Sequence, residues 1–163
     1  MTPVDIATFQ KGFAAWLGAS RVMPTLPYVE GGWESWIQID FTAYLNGIGK
    51  QDYDIRREVL GVFKQPAQRA DWVMNSNCQG ATTLVFELKA QSYKSTNFVQ
   101  LVQSDVAKLA STNIAPAYAA AQRYAMAAVI DQGTYNTLVG QGFKSLGFDG
   151  AKVAGFLILP VTA

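Results

Sequence analysis

Hydrophobic and polar residues alternate from Thr83 to Gln91, and this pattern is typical of a β-strand. Side chains on a strand point alternately to its two faces. One face is then wholly apolar and suits a hydrophobic core; it carries Leu84, Phe86, Leu88 and Ala90. The opposite face changes from apolar to charged, since it ends in Glu87 and Lys89. The pattern predicts a strand over 82–91 that carries a carboxylate and an ammonium side by side.

Apolar residues recur every three or four positions in several longer segments, and this spacing is typical of amphipathic helices. Helices are predicted over 4–18, 33–46 and 96–111, and a short one over 133–142. Further strands are predicted over 55–63, 70–74, 124–130 and 155–160. The run 124–130 is apolar throughout, which fits either helix or strand by periodicity and favours a buried parallel strand. This order predicts an α/β fold with a mixed central β-sheet flanked by helices, formed by residues 1–163 as one domain.

A second carboxylate lies on the strand predicted over 70–74. Asp71 is followed by the turn-forming residues Asn75–Gly80 and then by the strand that carries Glu87. Two strands joined by such a turn pair side by side, so we expect Asp71 and Glu87 to be neighbours. Two carboxylates together with the ammonium of Lys89 suit a hard divalent cation and a phosphodiester.

The absence of histidine from all 163 residues narrows the chemistry. It excludes Ser-His-Asp and Cys-His nucleophile pairs and zinc sites of the His-Glu-x-x-His type. Cys78 is the single cysteine, so the chain forms no intramolecular disulfide and no cysteine-based zinc site. Any hydrolysis must then rest on carboxylates, lysine and a metal ion.

The overall charge of the chain does not indicate nucleic-acid binding. The chain has 13 basic and 12 acidic residues and a net charge of +1, whereas phosphate contacts usually need a basic surface. Arg56 and Arg57 either face a phosphate or line a solvated edge strand. No apolar run has transmembrane length, and the N-terminus lacks the basic-then-apolar pattern of a signal peptide. We therefore expect no membrane partner, and any secretion would use another route.

The two motif segments together resemble a known family. Asp71, followed by Glu87-Leu88-Lys89 at the end of an apolar strand, resembles the Asp…(Asp/Glu)-X-Lys motif of the PD-(D/E)XK, or restriction-endonuclease-like, nucleases. Ala70 stands where that family has proline. The resemblance covers most of residues 28–160 and implies a restriction-endonuclease-like core there, with the helix and loop of residues 1–27 outside it.

The resemblance also implies a metal site. Asp71, Glu87 and the backbone carbonyl of Leu88 would hold Mg²⁺, with Mn²⁺ as an alternative. Lys89 would orient the attacking water or stabilise the charge that grows on the phosphate. In the family, a helix ahead of the sheet often lends a glutamate to the metal, and Glu34 is the candidate here.

The start of that helix resembles one class within the family. The run Gly31-Gly32-Trp33-Glu34 looks like the corresponding helix start in secreted nuclease toxins. Glu30 competes with Glu34 for the metal role. The simpler role for Glu34 is that of a solvated acid that favours the helix dipole.

The helix predicted over 96–111 supplies the remaining candidates. In the family this helix often carries a glutamine near the site, and Gln103 is favoured over Gln100. Asp105 and Lys108 are similar to a helix signature of effector nucleases. Ion pairs at i, i+3 are common on helices, however, so a pair confined to the helix is the stronger expectation.

The resemblance implies a magnesium-dependent endonuclease that hydrolyses phosphodiester bonds in DNA, with RNA not excluded. The toxin-like sequence implies a secreted antibacterial effector that acts in the target-cell cytoplasm and meets a cognate immunity protein. Three alternatives stay open: a cytoplasmic housekeeping or phage nuclease, a degenerate scaffold that binds protein or nucleic acid, and an unrelated α/β domain. In the last of these, Glu87 and Lys89 form only a surface ion pair.

Overall fold

Six β-strands form one mixed sheet within residues 1–19, 33–49, 51–147 and 155–162, the part of the chain that a computed structural model describes. The strands are β1 (Ile55–Leu60), β2 (Arg69–Met74), β3 (Leu84–Ala90), β4 (Gln122–Val129), β5 (Lys144–Gly147) and β6 (Gly155–Val161). They lie side by side in the order β1-β2-β3-β4-β6-β5. β3 and β4 run parallel, and the other neighbours are antiparallel. The predicted α/β fold with a mixed central sheet is thereby confirmed.

Four helices of the described chain cover the two faces of this sheet. They are α1 (Ile6–Ala19), α2 (Glu34–Gly49), α3 (Phe98–Lys108) and α4 (Gln132–Gly140). α1 and α2 pack on one face, where the ring of Phe9 lies 4.3 Å from that of Phe86 and 5.2 Å from that of Phe41, centroid to centroid. α3 and α4 pack on the other face through Val102 and Leu138. The sheet is therefore the middle layer of three.

The N-terminal helix is part of this hydrophobic core. α1 buries four apolar side chains against the sheet and α2, namely Phe9, Phe13, Trp16 and Leu17. The amphipathic helix predicted over 4–18 is therefore present, and its apolar side packs on the core. The limit proposed at residue 28 between the N-terminal segment and the nuclease-like core lies outside the described residues.

β3 has the predicted alternation of faces. Its apolar set packs on the side of α1 and α2: Leu84, Phe86, Leu88 and Ala90. Val85 packs on the side of α3 and α4. The side chains of Glu87 and Lys89 reach residues of α3. The charged half of the strand therefore meets a helix and is not left in solvent.

The structure differs from the predicted strands in two places: one predicted strand is too long, and one strand was not predicted. The strand predicted over 55–63 ends at Leu60, because Gly61 adopts a φ of 79° that is typical of a turn. Phe63 makes a single bridge to Ile114 instead of continuing the strand. β5 was not predicted, since its four residues show no alternation and owe their conformation to pairing with β6.

Candidate active site

The two strands that carry the predicted acids separate from each other. β2 and β3 pair at three positions, with Trp72 opposite Phe86 at the last of them. Beyond that pair β3 continues to Ala90, joined to β4 on its other side. The N–H groups on its β2 side therefore lack a strand partner over this stretch. We call the space between residues 69–71 and 87–90 the fork.

Asp71 fills part of the fork with its carboxylate. The backbone N–H of Leu88 donates to Asp71 Oδ2 at 2.6 Å. The side-chain amide of Gln38, on α2, donates to Asp71 Oδ1 at 2.9 Å. Asp71 thus replaces a ladder partner of β3 and lies where the sequence predicted it, at the level of Glu87.

Glu34 reaches the fork from the first turn of α2. The indole N–H of Trp33 donates to the Gln91 carbonyl at 2.9 Å, which fixes the start of α2 against the end of β3. Glu34 Oε1 then accepts the N–H of Ala90 at 3.1 Å, and Glu34 Oε2 lies 3.4 Å from Lys89 Nζ. The competing candidate Glu30 and the pair Gly31-Gly32 lie outside the described residues.

Glu87 is the most buried acid of the fork, with 2% of its surface exposed. Its Oε2 accepts from Lys108 Nζ at 2.7 Å, whereas its Oε1 is buried without a hydrogen-bond partner. Burial raises the pKa of Glu87 to about 8, and the charge of Asp71 adds to the rise, whereas the hydrogen bond and the charge of Lys108 oppose it. The free oxygen and the raised pKa both indicate a site that is short of positive charge.

The other ionisable groups of the fork are shifted as well. Burial raises the pKa of Asp71 to about 6, although the Leu88 N–H and the charge of Lys89 oppose the shift. Burial disfavours the charged form of Lys89, but the charges of Asp105, Glu34 and Asp71 together raise its pKa. Lys89 therefore stays an ammonium among carboxylates.

α3 contributes two residues that the sequence analysis assigned to a pair within the helix. Asp105 Oδ2 lies 3.5 Å from Lys89 Nζ. Lys108 Nζ bonds Glu87 and also donates to the Arg69 carbonyl at 2.6 Å. The expectation of a pair confined to the helix is thus corrected, because the face that carries both residues packs on the sheet and turns them toward β3.

Gln103 is not brought to the fork. Its amide donates to Gln141 Oε1 at 2.6 Å, at the contact between α3 and the end of α4. Gln100, the less favoured alternative, is exposed near the start of α3. The polar partners that α3 gives to β3 are instead Asp105 and Lys108.

The donor set at the fork fits Mg²⁺ or Mn²⁺ by its chemistry. Both ions prefer oxygen ligands, and the fork offers carboxylates from Asp71, Glu87 and Glu34. The N–H and C=O of one strand residue point to the same edge, so the Leu88 carbonyl also faces the fork. Among the described residues, no three histidine, cysteine or carboxylate side chains are gathered closely enough to hold a metal ion. Glu87 is held by Lys108 and Glu34 by Lys89 instead, and a bound metal would have to displace these lysines.

Comparison with known proteins adds no relative. No family model matches the sequence, and neither a curated protein nor a solved structure matches it. Among the described helices, none is long and apolar enough to cross a bilayer.

Proposed function

We propose that this protein is a metal-dependent nuclease of the PD-(D/E)XK type that hydrolyses phosphodiester bonds, with DNA as the preferred substrate. The observation that carries the proposal is the fork, where the Asp71 carboxylate lies within reach of the charges of both Glu87 and Lys89. The antiparallel meander β1-β2-β3, whose last two strands carry the motif residues, supports a restriction-endonuclease-like core. Raised pKa values of two acids in one polar gap are typical of functional sites.

The residues of the fork divide into two roles. Asp71, Glu87, Glu34 and the Leu88 carbonyl would hold Mg²⁺ or Mn²⁺. When bound, the ion supplies Lewis-acid polarisation and a water of lowered pKa. Lys89 presents an ammonium that stabilises the negative charge developing on a phosphate oxygen. Its two anionic neighbours in the protein keep this ammonium in place.

Attraction of a polyanion must be local, because the net charge of the chain is only +1. Two cationic side chains lie at the fork, those of Lys89 and Lys108. Arg69 is more than half exposed and forms a long ion pair of 3.9 Å with Glu58. This ion pair directs the Arg69 side chain toward β1, so it is available to a phosphate on the β1 side of β2 and not inside the fork.

Digestion of supercoiled plasmid tests the proposal. Wild-type protein with Mg²⁺ should convert the plasmid to nicked or linear forms, and EDTA should stop the reaction. Asp71→Asn should lose cleavage, because the amide keeps the size of the side chain but not its charge. Asp52→Asn, at an exposed acid outside the fork, is the matched control and should cleave like wild type.

Two results would contradict this proposal. Magnesium-dependent cleavage that survives in Asp71→Asn would show that the fork is not the active site. Folded wild-type protein that leaves plasmid, single-stranded DNA and RNA intact would remove the nuclease function itself.

The biological setting is proposed on the resemblance alone. A secreted antibacterial effector with a cognate immunity protein would act in the cytoplasm of the target cell; otherwise the protein is a cytoplasmic housekeeping or phage nuclease. Induction in bacteria that lack a partner gene separates these settings. Normal growth with soluble, metal-binding protein would count against the effector.

One observation favours a second candidate function, a degenerate scaffold that binds a partner without catalysis. Lys108 bonds Glu87 at 2.7 Å and so places a protein cation on the acid that a metal needs. In a scaffold this ion pair would be permanent. Calorimetry that detects no Mg²⁺ or Mn²⁺ binding at millimolar concentration would favour the scaffold over the nuclease.

A further inference from the structure

A buried glutamine on α2 interrupts the hydrophobic face of that helix. Gln38 is 1% exposed and lies next in sequence to the fully buried Ile37. The rest of this face is apolar and packs into the core; it consists of Trp33, Ile37, Phe41 and Leu45. A buried amide is unfavourable unless it is hydrogen-bonded, and an apolar residue would fill the position at lower cost. We therefore expect the hydrogen bonds of Gln38 to explain why a polar residue occupies this position.

The orientation of the Gln38 amide is fixed by its partners. Arg57, on β1, donates from Nη2 to Gln38 Oε1 at 3.1 Å. A guanidinium has only donors, so the amide oxygen must face it. The amide nitrogen then faces Asp71, and it donates to Asp71 Oδ1 at 2.9 Å. The amide cannot flip without placing two donors against each other.

Asp71 is held at both oxygens as a result. Oδ1 accepts from Gln38, and Oδ2 accepts from the Leu88 N–H. The bonds join Arg57, Gln38, Asp71 and Leu88 in one chain that crosses from β1 through α2 and β2 to β3. Arg57 Nε is buried without a hydrogen-bond partner, and among the described residues it is the bond to Gln38 that holds the guanidinium.

We propose that Gln38 is a positioning residue for Asp71 and that Arg57 acts through Gln38 by fixing its amide. The inference rests on the proposed function, in which Asp71 binds the metal. The relay holds the Asp71 carboxylate in one orientation at the fork, so less conformational freedom is lost when the metal binds. Hydrogen-bond partners of metal ligands typically change metal affinity by about 10–100-fold when they are removed.

The test is calorimetric titration with Mn²⁺ alone, in wild type and in three variants. Gln38→Met fills the same volume without hydrogen bonds and should weaken Mn²⁺ binding by about 10–100-fold. Arg57→Met should weaken it less, and the double variant should be no weaker than Gln38→Met, because both residues act along one path. Arg57→Lys keeps a donor and should restore part of the loss. Gln122→Met is the control, since Gln122 is exposed at the start of β4 and accepts a bond from Tyr124.

Each outcome decides the inference. Gln38→Met that melts at a lower temperature but binds Mn²⁺ like wild type would show a merely structural glutamine and overturn the proposal. Additive losses in the double variant would overturn the part played by Arg57. If Gln38→Met does not fold, Arg57→Met with wild-type affinity is the overturning result. Wild-type protein that binds no Mn²⁺ would overturn both this inference and the proposed function, whereas the other outcomes leave the proposed function standing.

Discussion

Lys89→Ala is expected to lower the rate of plasmid cleavage by about 10²–10³ and to leave the fold intact. This is the usual loss when one group that stabilises transition-state charge is removed. Lys89 is the cation of the motif, and the neighbouring acids raise its pKa and keep it charged. Lys89→Arg should restore little activity, because a planar guanidinium cannot replace a compact ammonium between Glu34 and Asp105.

The same substitution has a structural effect that the experiment must separate. Removing Lys89 leaves Glu34 and Asp105 without their shared cation, and these acids are only partly exposed. We expect a loss of stability of about 1–2 kcal/mol and unchanged or slightly tighter Mn²⁺ binding, since a like charge beside the metal is removed. Rates are therefore measured well below the melting temperature. Lys144→Ala, at an exposed lysine on the edge strand β5, is the control and should cleave like wild type.

A Lys89→Ala variant that cleaves DNA at the wild-type rate would remove Lys89 from the active site. The match of Glu87-Leu88-Lys89 to the family motif would then be a coincidence of sequence. A variant that is slow only because it is unfolded would instead show a matching loss of Mn²⁺ binding, which calorimetry detects.

The sheet near the fork could be predicted because its strands have simple patterns. Period-two alternation in 84–90 determines which side chains of β3 face the core. The short turn after Met74 determines that β2 and β3 pair as neighbours, which brings Asp71 to the level of Glu87. The point at which β2 and β3 separate could not be predicted from the pattern of the strands. There, Glu34 and Gln38 of α2 bond the residues of the fork.

The contribution of α3 was harder to predict, although the signal was present. Asp105 lies on the same stripe as Val102 and Leu109, and an acid in a buried stripe indicates a partner across the interface. Gln103 lies well off that stripe, about 100° around the helix from Val102, which explains why it meets α4 and not the fork. The position of each residue around α3 therefore indicates that Asp105, and not Gln103, reaches the fork, whereas the family resemblance favoured Gln103.

Glu87 is the second residue at which a large effect is expected, this time on stability. Its pKa is raised from 4.5 to about 8, chiefly by burial. Between these values the unfolded chain releases a proton that the folded, metal-free protein keeps. The contribution of Glu87 to the free energy of unfolding is therefore fully present below about pH 4.5. It is lost as the pH rises through 8. One pKa unit corresponds to about 1.4 kcal/mol, so the loss between pH 5 and pH 8 is on the order of 2–4 kcal/mol.

Glu87→Gln should remove this loss. Urea unfolding in EDTA at pH 5, 6, 7 and 8 is expected to show a stability difference, variant minus wild type, that grows with pH by on the order of 2–4 kcal/mol in total. Loss of the bond to Lys108 shifts the stability of the variant by the same amount at every pH, so it does not affect how the difference changes with pH. Glu58→Gln, at an exposed acid on β1, is the control and should follow wild type at every pH.

Addition of Mg²⁺ turns this stability test into a test of the site. Metal binding requires ionised carboxylates, so it should release protons from the fork and stabilise wild-type protein more at pH 8 than at pH 6. Glu87→Gln lacks one ligand and should gain much less stability from Mg²⁺ at either pH. Parallel pH profiles for wild type and Glu87→Gln in EDTA would show that Glu87 is ionised in the folded protein, with Lys108 as its permanent counter-ion. A site already neutralised by its own lysine would give a metal no advantage, and the fork would then serve to hold α3 on the sheet and not to cleave a phosphodiester.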